Sequence, residues 1–219
     1  MDAIILAAGS GLRMNLKTPK QFLRIKGKPL FIYSLELFNK CEFIDKIYIT
    51  CNKEYMQLYS DFISMYNINN VECIEGGSTR QESVYRALSN VKTSKVIIHE
   101  AARPLIDLEF LNSIATAAKD SDAVVPTIPV KFSVAIGGGF MESELDRSKL
   151  HNIQLPQIFN KETLFAAHNM ALKDNYIGTE DGMLVFHYGG QVKFVEGRES
   201  NIKVTTQLDL ELIENLLKL

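Results

Sequence analysis

The fold of this chain is decided near its start, by Ala3-Ile4-Ile5-Leu6-Ala7-Ala8-Gly9-Ser10-Gly11-Leu12-Arg13-Met14. The four apolar residues that open this stretch are typical of a short buried strand. The small residues that follow predict a turn, and glycines in such a turn let backbone N–H groups approach a ligand and point at it. Arg13 and Lys20 add two cations within the same loop. We therefore interpret the segment as a cradle for a triphosphate.

Two better-known phosphate-binding motifs do not fit this segment. The dinucleotide motif G-x-G-x-x-G needs a third glycine where Met14 stands, and the P-loop motif fails because Gly27-Lys28 is followed by Pro29. The remaining pattern, G-x-G-x-R-M followed by Pro-Lys-Gln-Phe-Leu at 19–23, resembles the signature of nucleotidyltransferases that activate sugar and polyol phosphates. Taken alone, the motif is explained equally well by a glycine turn with two solvated cations.

The composition of the chain indicates an ordinary globular enzyme or binding domain. The 219 residues are 46% hydrophobic and 23% charged, and they suffice for a single domain over 1–219. A formal net charge of −2 gives no general attraction to nucleic acid or to anionic membranes, so we expect neither as a partner. Three cysteines without C-x-x-C spacing favour a reducing compartment. Because no signal-peptide pattern or membrane-length apolar run is found, we expect a soluble, cytoplasmic protein.

Short β-rich runs alternate with amphipathic helical patterns along most of the chain. The patterns predict strands at 2–6, 45–51, 71–74, 95–99, 122–128 and 191–195, and helices at 30–40, 53–66, 80–91, 107–120, 161–173, 180–187 and 207–218. Such alternation predicts an α/β fold with a doubly wound, mostly parallel, Rossmann-like sheet. Ligands of such sheets bind beyond the carboxyl ends of the strands, where the candidate motifs lie.

The alternation breaks over residues 129–150. An alternating stretch leads to three consecutive glycines at 137–139, and a second extended stretch follows. This pattern predicts a protruding β-hairpin arm. Because an exposed apolar hairpin is rarely stable alone, we expect the arm to form a homodimer, although a loose excursion would give the same pattern.

A second glycine-rich stretch, Gly76-Gly77-Ser78-Thr79-Arg80-Gln81-Glu82-Ser83, follows a predicted strand and opens a helix. The spacing of a capping box is met by Ser78 with Gln81, or by Thr79 with Glu82. Helix capping therefore explains the motif without any ligand. Residues three apart share a helical face, however, so Arg80 and Ser83 could together address a base and a phosphate.

A carboxylate stands at the end of another predicted strand, in His99-Glu100-Ala101-Ala102-Arg103-Pro104. Beside a triphosphate, Glu100 could hold Mg²⁺, which prefers carboxylate and phosphate oxygens; a plain ion pair with Arg103 is the alternative. We expect His99 to be a packed histidine, since no second His or Cys lies at ligand spacing. Lys203 lies between apolar residues just before the last predicted helix, which suggests a specific position for its charge.

Read in order, these motifs resemble a known family. The motifs are L-A-A-G-S-G-x-R-M, P-K-Q-F-L, G-G-x-x-R-x-x-S-V, H-E-A-A-R-P, D-R…P-Q-x-F and V-E-G-R-x-x-N-I-K-V-T-T-x-x-D-L, and they span Leu6 to Leu210. The chain is similar to the CTP-dependent cytidylyltransferases that act on 2-C-methyl-D-erythritol 4-phosphate or ribitol 5-phosphate. The resemblance implies transfer of CMP from CTP to a small phosphorylated acceptor, with release of pyrophosphate and with Mg²⁺ or Mn²⁺ as cofactor.

The resemblance also implies roles for individual residues. The nucleotide would be bound by Ala7, Ala8, Gly9, Gly11, Gly77, Arg80, Ser83 and Ala101. The catalytic cations would be Arg13, Lys20 and Lys203, and the metal would contact Glu100. The acceptor would be bound by Arg103, by Ser133 and by Arg147, the last reaching from the arm into the neighbouring subunit.

The departures from the family pattern lie mainly in the half implied to bind the acceptor. Glu100 replaces an aspartate, Leu155 replaces a threonine before Pro-Gln, and Glu180-Asp181 inverts the usual order. A site built on hydrogen bonds rejects ligands that leave its groups unpaired, so these changes favour an acceptor other than methylerythritol phosphate. Ribitol 5-phosphate and phosphoglutamine are alternatives, as are a different nucleotide base and an inactive nucleotide-binding regulator.

Overall fold

The structure, a computed structural model, describes residues 1–9 and 19–217. Its strands are β1 (Asp2–Leu6), β2 (Arg24–Ile25), β3 (Lys28–Pro29), β4 (Ile47–Cys51), β5 (Val71–Glu75), β6 (Lys95–Glu100), β7 (Ala123–Pro129), β8 (Ala135–Gly137), β9 (Met141–Glu144), β10 (His151–Ile153), β11 (Gln157–Asn160) and β12 (Lys193–Glu196). Its α-helices are α1 (Leu30–Asn39), α2 (Met56–Met65), α3 (Arg80–Leu88), α4 (Leu108–Ala117), α5 (Lys161–Asp174), α6 (Asp181–His187) and α7 (Gln207–Leu216). No helix within these ranges has the length and apolarity needed to cross a membrane.

The central sheet has the strand order β10-β7-β11-β6-β1-β4-β5, and β12 also pairs with β7, in parallel. Strands β6, β1, β4 and β5 are parallel, with Ile4 of β1 opposite both Tyr48 and Ile98. Strand β11 runs antiparallel to both of its neighbours, β6 and β7. The predicted mostly parallel α/β sheet is therefore confirmed.

Helices cover both faces of the sheet because successive strand residues point to opposite sides. Ile5 of β1 packs in a core shared with α1, α2 and α4. Its neighbour Ile4 packs in a second core with α3, α5 and α6. A smaller cluster, with Leu30 and Ile213, fixes α7 beside the start of α1. The sheet is thus wound on both sides, and its strand ends are left free to form a site.

Two parts of the fold were not predicted from the sequence. Strands β10 and β11 are short, and they are separated by the Gln154–Pro156 segment, whose proline argues against a strand. The two-residue strands β2 and β3 form a small separate hairpin. Such short strands carry too few alternating residues to be recognised, and their pairing depends on neighbours that are distant in the sequence.

The predicted hairpin over 129–150 is present. Strands β8 and β9 pair with Ala135 opposite Glu144, and they form a sheet of their own. Phe132 and Phe140 expose 82% and 88% of their surface, far more than aromatic residues usually do. The base of the hairpin is tied down by Arg147, which donates to the Lys131 carbonyl over 3.0 Å. Within the described residues, the arm therefore exposes apolar side chains that no other part of the chain covers.

Candidate active site

A cavity of about 620 Å³ opens at the carboxyl ends of β1, β4 and β6. Parallel strands of one sheet end at the same edge, so the segments that follow them meet there. The cavity is lined by Leu6, Ala7, Ala8, Gly9, Lys20, Gln21, Thr50, Gly77, Ser78, Thr79, Arg80, Ser83, Glu100, Ala101, Ala102, Lys203 and Thr205. Ten of the residues proposed from the sequence are among them; Gly11 and Arg13 lie outside the described residues.

The backbone after β1 is fixed from two sides. The Ala7 N–H donates to the Thr50 side chain over 3.2 Å and to the Thr50 carbonyl over 3.1 Å. The buried hydroxyl of Tyr59 donates to the Ala7 carbonyl over 2.8 Å. These bonds hold the start of the proposed triphosphate cradle in place, so that Ala8 and Gly9 reach the cavity wall.

The N-terminus of α3 forms the opposite wall. Thr79 is the N-cap residue, and its side chain accepts from the Glu82 N–H over 3.0 Å. This is one of the two capping patterns predicted from the sequence. Ser83 then accepts from the Gly77 N–H over 3.0 Å. A Cβ atom on Gly76 would lie 2.3 Å from the Cβ of Ala8, so this close approach requires glycine. The positive end of the helix dipole adjoins the cavity, which favours an anionic ligand there.

Arg80 is held by three carboxylates from two segments of the chain. Its Nη1 lies 2.8 Å from Asp181, its Nη2 3.0 Å from Glu180 and its Nε 3.6 Å from Glu100. Burial by itself would lower the pKa of Arg80, but the three carboxylates raise it above the ordinary value. The guanidinium is therefore a fixed positive charge, and its orientation in the cavity wall is set by these partners.

Glu100 is the centre of a second group of charges. Lys203 Nζ lies 2.8 Å and 2.7 Å from its two carboxylate oxygens, and Arg80 and Arg103 each approach to 3.6 Å. Burial raises the pKa of Glu100, yet Lys203 and Arg80 bring it below the ordinary value. The ion pair with Arg103 considered from the sequence exists, but the shorter contact is to Lys203.

The two lysines approach the cavity from segments that are far apart in the sequence. Lys20 donates to the Val204 carbonyl over 3.2 Å, and Val204 itself donates to the Ala102 carbonyl over 2.8 Å. The backbone around 203–205 is thus fixed to the end of β6, with Lys20 and Lys203 on the cavity wall. Two ammonium groups beside a helix N-terminus provide the positive charge that a triphosphate requires.

The three residues proposed for the acceptor lie outside the cavity of the single chain. Arg103 is largely buried behind the wall, where it contacts Glu100 and donates to the Asn201 carbonyl over 2.7 Å. Ser133 and Arg147 are exposed on the arm. Leu155 is fully buried in the hydrophobic core with α3, α5 and α6, so its side chain does not face the cavity.

His99 is the packed histidine expected from the sequence. It is fully buried, its ring stacks on Phe38 at 5.4 Å, and its Nε2 lies 3.1 Å from the Arg103 carbonyl. Burial lowers its pKa to about 3, so the ring is neutral at physiological pH. His99 therefore supports the backbone of the 100–103 turn and contributes no charge to the site.

Several polar residues that the fold brings to the site have no role predicted from the sequence. Asp181 and Glu180 reach Arg80 from the start of α6, and His168 of α5 contacts Asp181. Thr50 and Thr205 line the cavity. The sequence pattern that could have indicated His168 is its position among apolar residues of a predicted helix. A histidine that is merely packed in the core has the same pattern. The contacts of Arg80 with Glu180 and Asp181 join segments about 100 residues apart and leave no local pattern.

In the part of the chain that the structure describes, the cavity offers a divalent cation one carboxylate ligand, that of Glu100. No three His, Cys, Asp or Glu side chains in residues 1–9 and 19–217 form a group that could hold a metal ion by themselves. Glu100 is the carboxylate on the cavity wall, and it is nearly buried. A single carboxylate fits Mg²⁺ where substrate phosphates supply further oxygens, because Mg²⁺ is usually bound by one or two carboxylates, phosphates and water.

The mostly parallel sheet with helices on both faces, and with a cavity at the carboxyl ends of its strands, is that of an α/β nucleotidyltransferase. The chain belongs to the family described as IspD: 2-C-methyl-D-erythritol 4-phosphate cytidylyltransferase, whose model matches residues 1–219. It is a CTP-dependent cytidylyltransferase that transfers CMP to the phosphate of a small metabolite and releases pyrophosphate.

Individual relatives agree with the family match along the whole chain. The chain is similar to two curated 2-C-methyl-D-erythritol 4-phosphate cytidylyltransferases. The enzyme of Geobacillus thermodenitrificans is 36% identical over 219 residues, and the alignment covers 99% of this chain and 96% of the relative. The enzyme of Clostridium botulinum is 39% identical over 223 residues, and the alignment covers 99% of this chain and 97% of the relative. The crystal structure of 4-diphosphocytidyl-2C-methyl-D-erythritol synthase from Anaerococcus prevotii matches with a TM-score of 0.87 and 27% identity, covering 100% of this chain and 98% of that chain.

The charge group around Glu100 predicts a specific dependence of stability on pH. The pKa of Glu100 is lower in the folded chain than its ordinary value of 4.5, so its stabilising effect is present above that pH and is lost as the pH falls through the folded pKa. We expect Glu100→Gln to reduce the free energy of unfolding most at neutral pH, because the carboxylate of the wild type is then charged and paired with its three cations. The difference from wild type should shrink on acidification below about pH 4.5.

Urea unfolding at a series of pH values measures this difference. Glu142→Gln is the matched control, because Glu142 is an exposed carboxylate on the arm. A constant difference between wild type and Glu100→Gln at every pH would contradict the assignment of the charge group.

Proposed function

We propose that this enzyme transfers CMP from CTP to the phosphate of 2-C-methyl-D-erythritol 4-phosphate. The observation that carries the proposal is the joint placement of Lys20, Lys203 and Arg80 around one cavity beside the N-terminus of α3. The curated relatives at 36% and 39% identity bear the name of that activity. The assignment of individual residues to the steps below is part of the proposal.

The reaction is an in-line displacement at the α-phosphorus of CTP. An oxygen of the acceptor phosphate attacks this phosphorus, a new P–O bond forms, and the bond to the bridging oxygen of the β-phosphate breaks. Pyrophosphate leaves with the electron pair of that bond. A phosphate monoester has its second pKa at about 6 and is largely dianionic at neutral pH. The acceptor is therefore already a nucleophile and needs no general base.

The protein then has to position the two substrates and neutralise charge, as in phosphoryl transfer generally. Lys20, with Arg13, contacts the phosphates of CTP, and Lys203 contacts the α-phosphate that is attacked. Glu100 orients Lys203 through both of its oxygens, so that the ammonium group is in position before the substrates bind. Glu100 would hold Mg²⁺ or Mn²⁺, which would supply further positive charge beside the triphosphate.

The cytidine part of CTP would bind between the ends of β1 and β6 and the start of α3. Backbone groups of Ala7, Ala8 and Gly9 line one side, and Gly77 and Ser83 line the other. Arg80 and Ala101 complete the surroundings of the base and ribose. Because Ser83 already accepts from Gly77 and donates to the Thr79 carbonyl, its hydroxyl is held at a fixed position.

Methylerythritol phosphate is preferred as acceptor despite the departures noted in the sequence. Leu155 replaces a threonine, but its side chain is buried in the core, so the change puts no apolar group into the cavity. Glu100 keeps a carboxylate where the family has an aspartate, and it keeps the pairing with Lys203. These observations weaken the argument for a different acceptor.

We further propose that the active site is completed by a second copy of the chain. Arg103 is the one proposed acceptor residue near the cavity, while Ser133 and Arg147 are on the exposed arm. Phe132 and Phe140 would be covered if the arm packed on a partner, which removes apolar surface from water. The arm's arginine could then supply the positive charge for the acceptor phosphate of the neighbouring subunit.

The role of the two lysines predicts a large loss of turnover. Lys20→Ala and Lys203→Ala should each lower kcat by at least ~100-fold, the effect of removing one preorganised charge-stabilising group. Pyrophosphate release with CTP and Mg²⁺ measures the rate. Lys53→Ala is the control, because Lys53 is 79% exposed and pairs only loosely with Glu75 at 4.0 Å. Near-normal turnover of either cavity variant would refute the assignment.

The acceptor assignment is tested by pyrophosphate release with a panel of phosphates. We expect rapid turnover with 2-C-methyl-D-erythritol 4-phosphate and much slower turnover with ribitol 5-phosphate, glycerol phosphate and phosphoglutamine. A preference for one of the latter would mean that the departures define another specificity. CTP that raises the melting temperature without any pyrophosphate release would instead indicate a binding protein without catalysis.

The shared site predicts complementation between two inactive variants. Lys203→Ala and Arg147→Ala should each be inactive as pure proteins, because every site lacks one required residue. In a mixed dimer, one of the two sites receives both native residues. An equal, fully exchanged mixture should therefore recover about a quarter of wild-type activity, since half of the dimers are mixed and half of their sites are intact. No recovery after exchange, despite dimers in light scattering, would show that Arg147 acts within its own chain.

A further inference from the structure

His168 is a buried titratable residue that the proposed mechanism does not use. It lies in α5, exposes only 1% of its surface, and sits behind the cavity wall. Its Nε2 is 3.3 Å from Oδ1 of Asp181, the first residue of α6. Asp181 is equally buried, and its other oxygen, Oδ2, is 2.8 Å from Nη1 of Arg80. A continuous chain of contacts therefore runs from His168 through a carboxylate to a guanidinium on the cavity wall.

The orientation of Arg80 depends strongly on Asp181. Of the three carboxylates near Arg80, Asp181 makes the shortest contact and is the most deeply buried. Burial raises the pKa of Asp181, but Arg80 and His168 bring it below the ordinary value, so the group remains charged. A buried carboxylate without hydrogen-bond donors on both oxygens is costly. His168 Nε2 is the polar atom that approaches the oxygen not facing Arg80, at a distance of 3.3 Å.

His168 is itself held by the helix that carries Arg80. The Tyr85 ring of α3 lies 6.0 Å from the His168 ring, and its hydroxyl donates to the Asn169 side chain over 3.0 Å. Tyr85 also stacks on Phe165 of α5, with ring centroids 5.5 Å apart. Helices α3, α5 and α6 thus meet around the contact between His168 and Asp181, beside the apolar core that they share.

We propose that His168 is a positioning residue for nucleotide binding. Its Nε2 approaches Oδ1 of Asp181 to 3.3 Å and so favours the orientation of the carboxylate that holds the Arg80 guanidinium toward the cavity. His168 does not touch the nucleotide; it acts through Arg80. The inference rests on the proposed contact between Arg80 and the cytidine part of CTP.

The test compares CTP affinity, measured by calorimetry with Mg²⁺ in the absence of acceptor, between matched variants. His168→Phe keeps an aromatic ring but removes the donor, and it should raise the Kd for CTP about tenfold, within the range found for residues coupled in one network. His168→Gln retains an N–H at the end of the side chain and should restore most of the affinity. His187→Phe is the control, because His187 is exposed on α6 and its stacking on Tyr176 is kept.

A double-mutant cycle separates positioning from a general structural effect. Arg80→Lys keeps the charge but loses the planar, multiply donating group, so it should weaken CTP binding by itself. In that background, His168→Phe should change the Kd less than twofold, because the residue through which it acts is already altered. Asp181→Asn should raise the Kd as His168→Phe does, and it provides the test if His168→Phe does not fold.

The outcomes are distinguishable. Wild-type CTP affinity of His168→Phe or Asp181→Asn would overturn the inference, as would equal losses in His168→Gln and His168→Phe. An undiminished effect of His168→Phe in the Arg80→Lys background would assign His168 a structural role only. Wild-type affinity of Arg80→Lys would overturn the proposed nucleotide contact of Arg80, and the inference with it.

Discussion

The cavity is organised around the carboxylate of Glu100, which stands at the end of β6 among three cations from separate segments. Lys203 contacts both of its oxygens, and Arg80 and Arg103 approach from other sides. A buried carboxylate is stable only with such partners, so the fold must bring them together. The same contacts hold the ammonium and guanidinium groups that a triphosphate requires. In the proposed mechanism, the stability of the fold and the binding of substrate therefore depend on one set of charges.

The sheet supplies the constraint that makes this arrangement possible. Strands β1, β4 and β6 are parallel neighbours, so the turns that follow them meet at one edge. The Ala7 backbone is tied to Thr50, and Gly76 comes too close to Ala8 for any side chain. The cradle and the N-terminus of α3 are thereby fixed relative to each other. An electropositive site that needs little rearrangement suits a reaction in which the protein mainly positions phosphates.

The motifs predicted from the sequence were those whose chemistry is local. A strand followed by small residues, and glycines followed by a capping threonine, have meaning within about ten residues. Hence the mostly parallel sheet, the wall formed by Gly77, Arg80 and Ser83, and the cavity position of Lys203 were all anticipated. The short strands β10 and β11 were not, because each is defined by its neighbours in the sheet and hardly by its own residues.

The sequence by itself determined the α/β fold, the family and most residues of the cavity wall, because backbone periodicity and short motifs encode them directly. Only the tertiary structure decided which charges are paired. It joined Lys203 to Glu100 and linked His168 through Asp181 to Arg80, across about 100 residues of sequence. It also placed Leu155 in the core and away from the cavity. Pairing and side-chain direction depend on the packing of distant segments, and no local pattern records them.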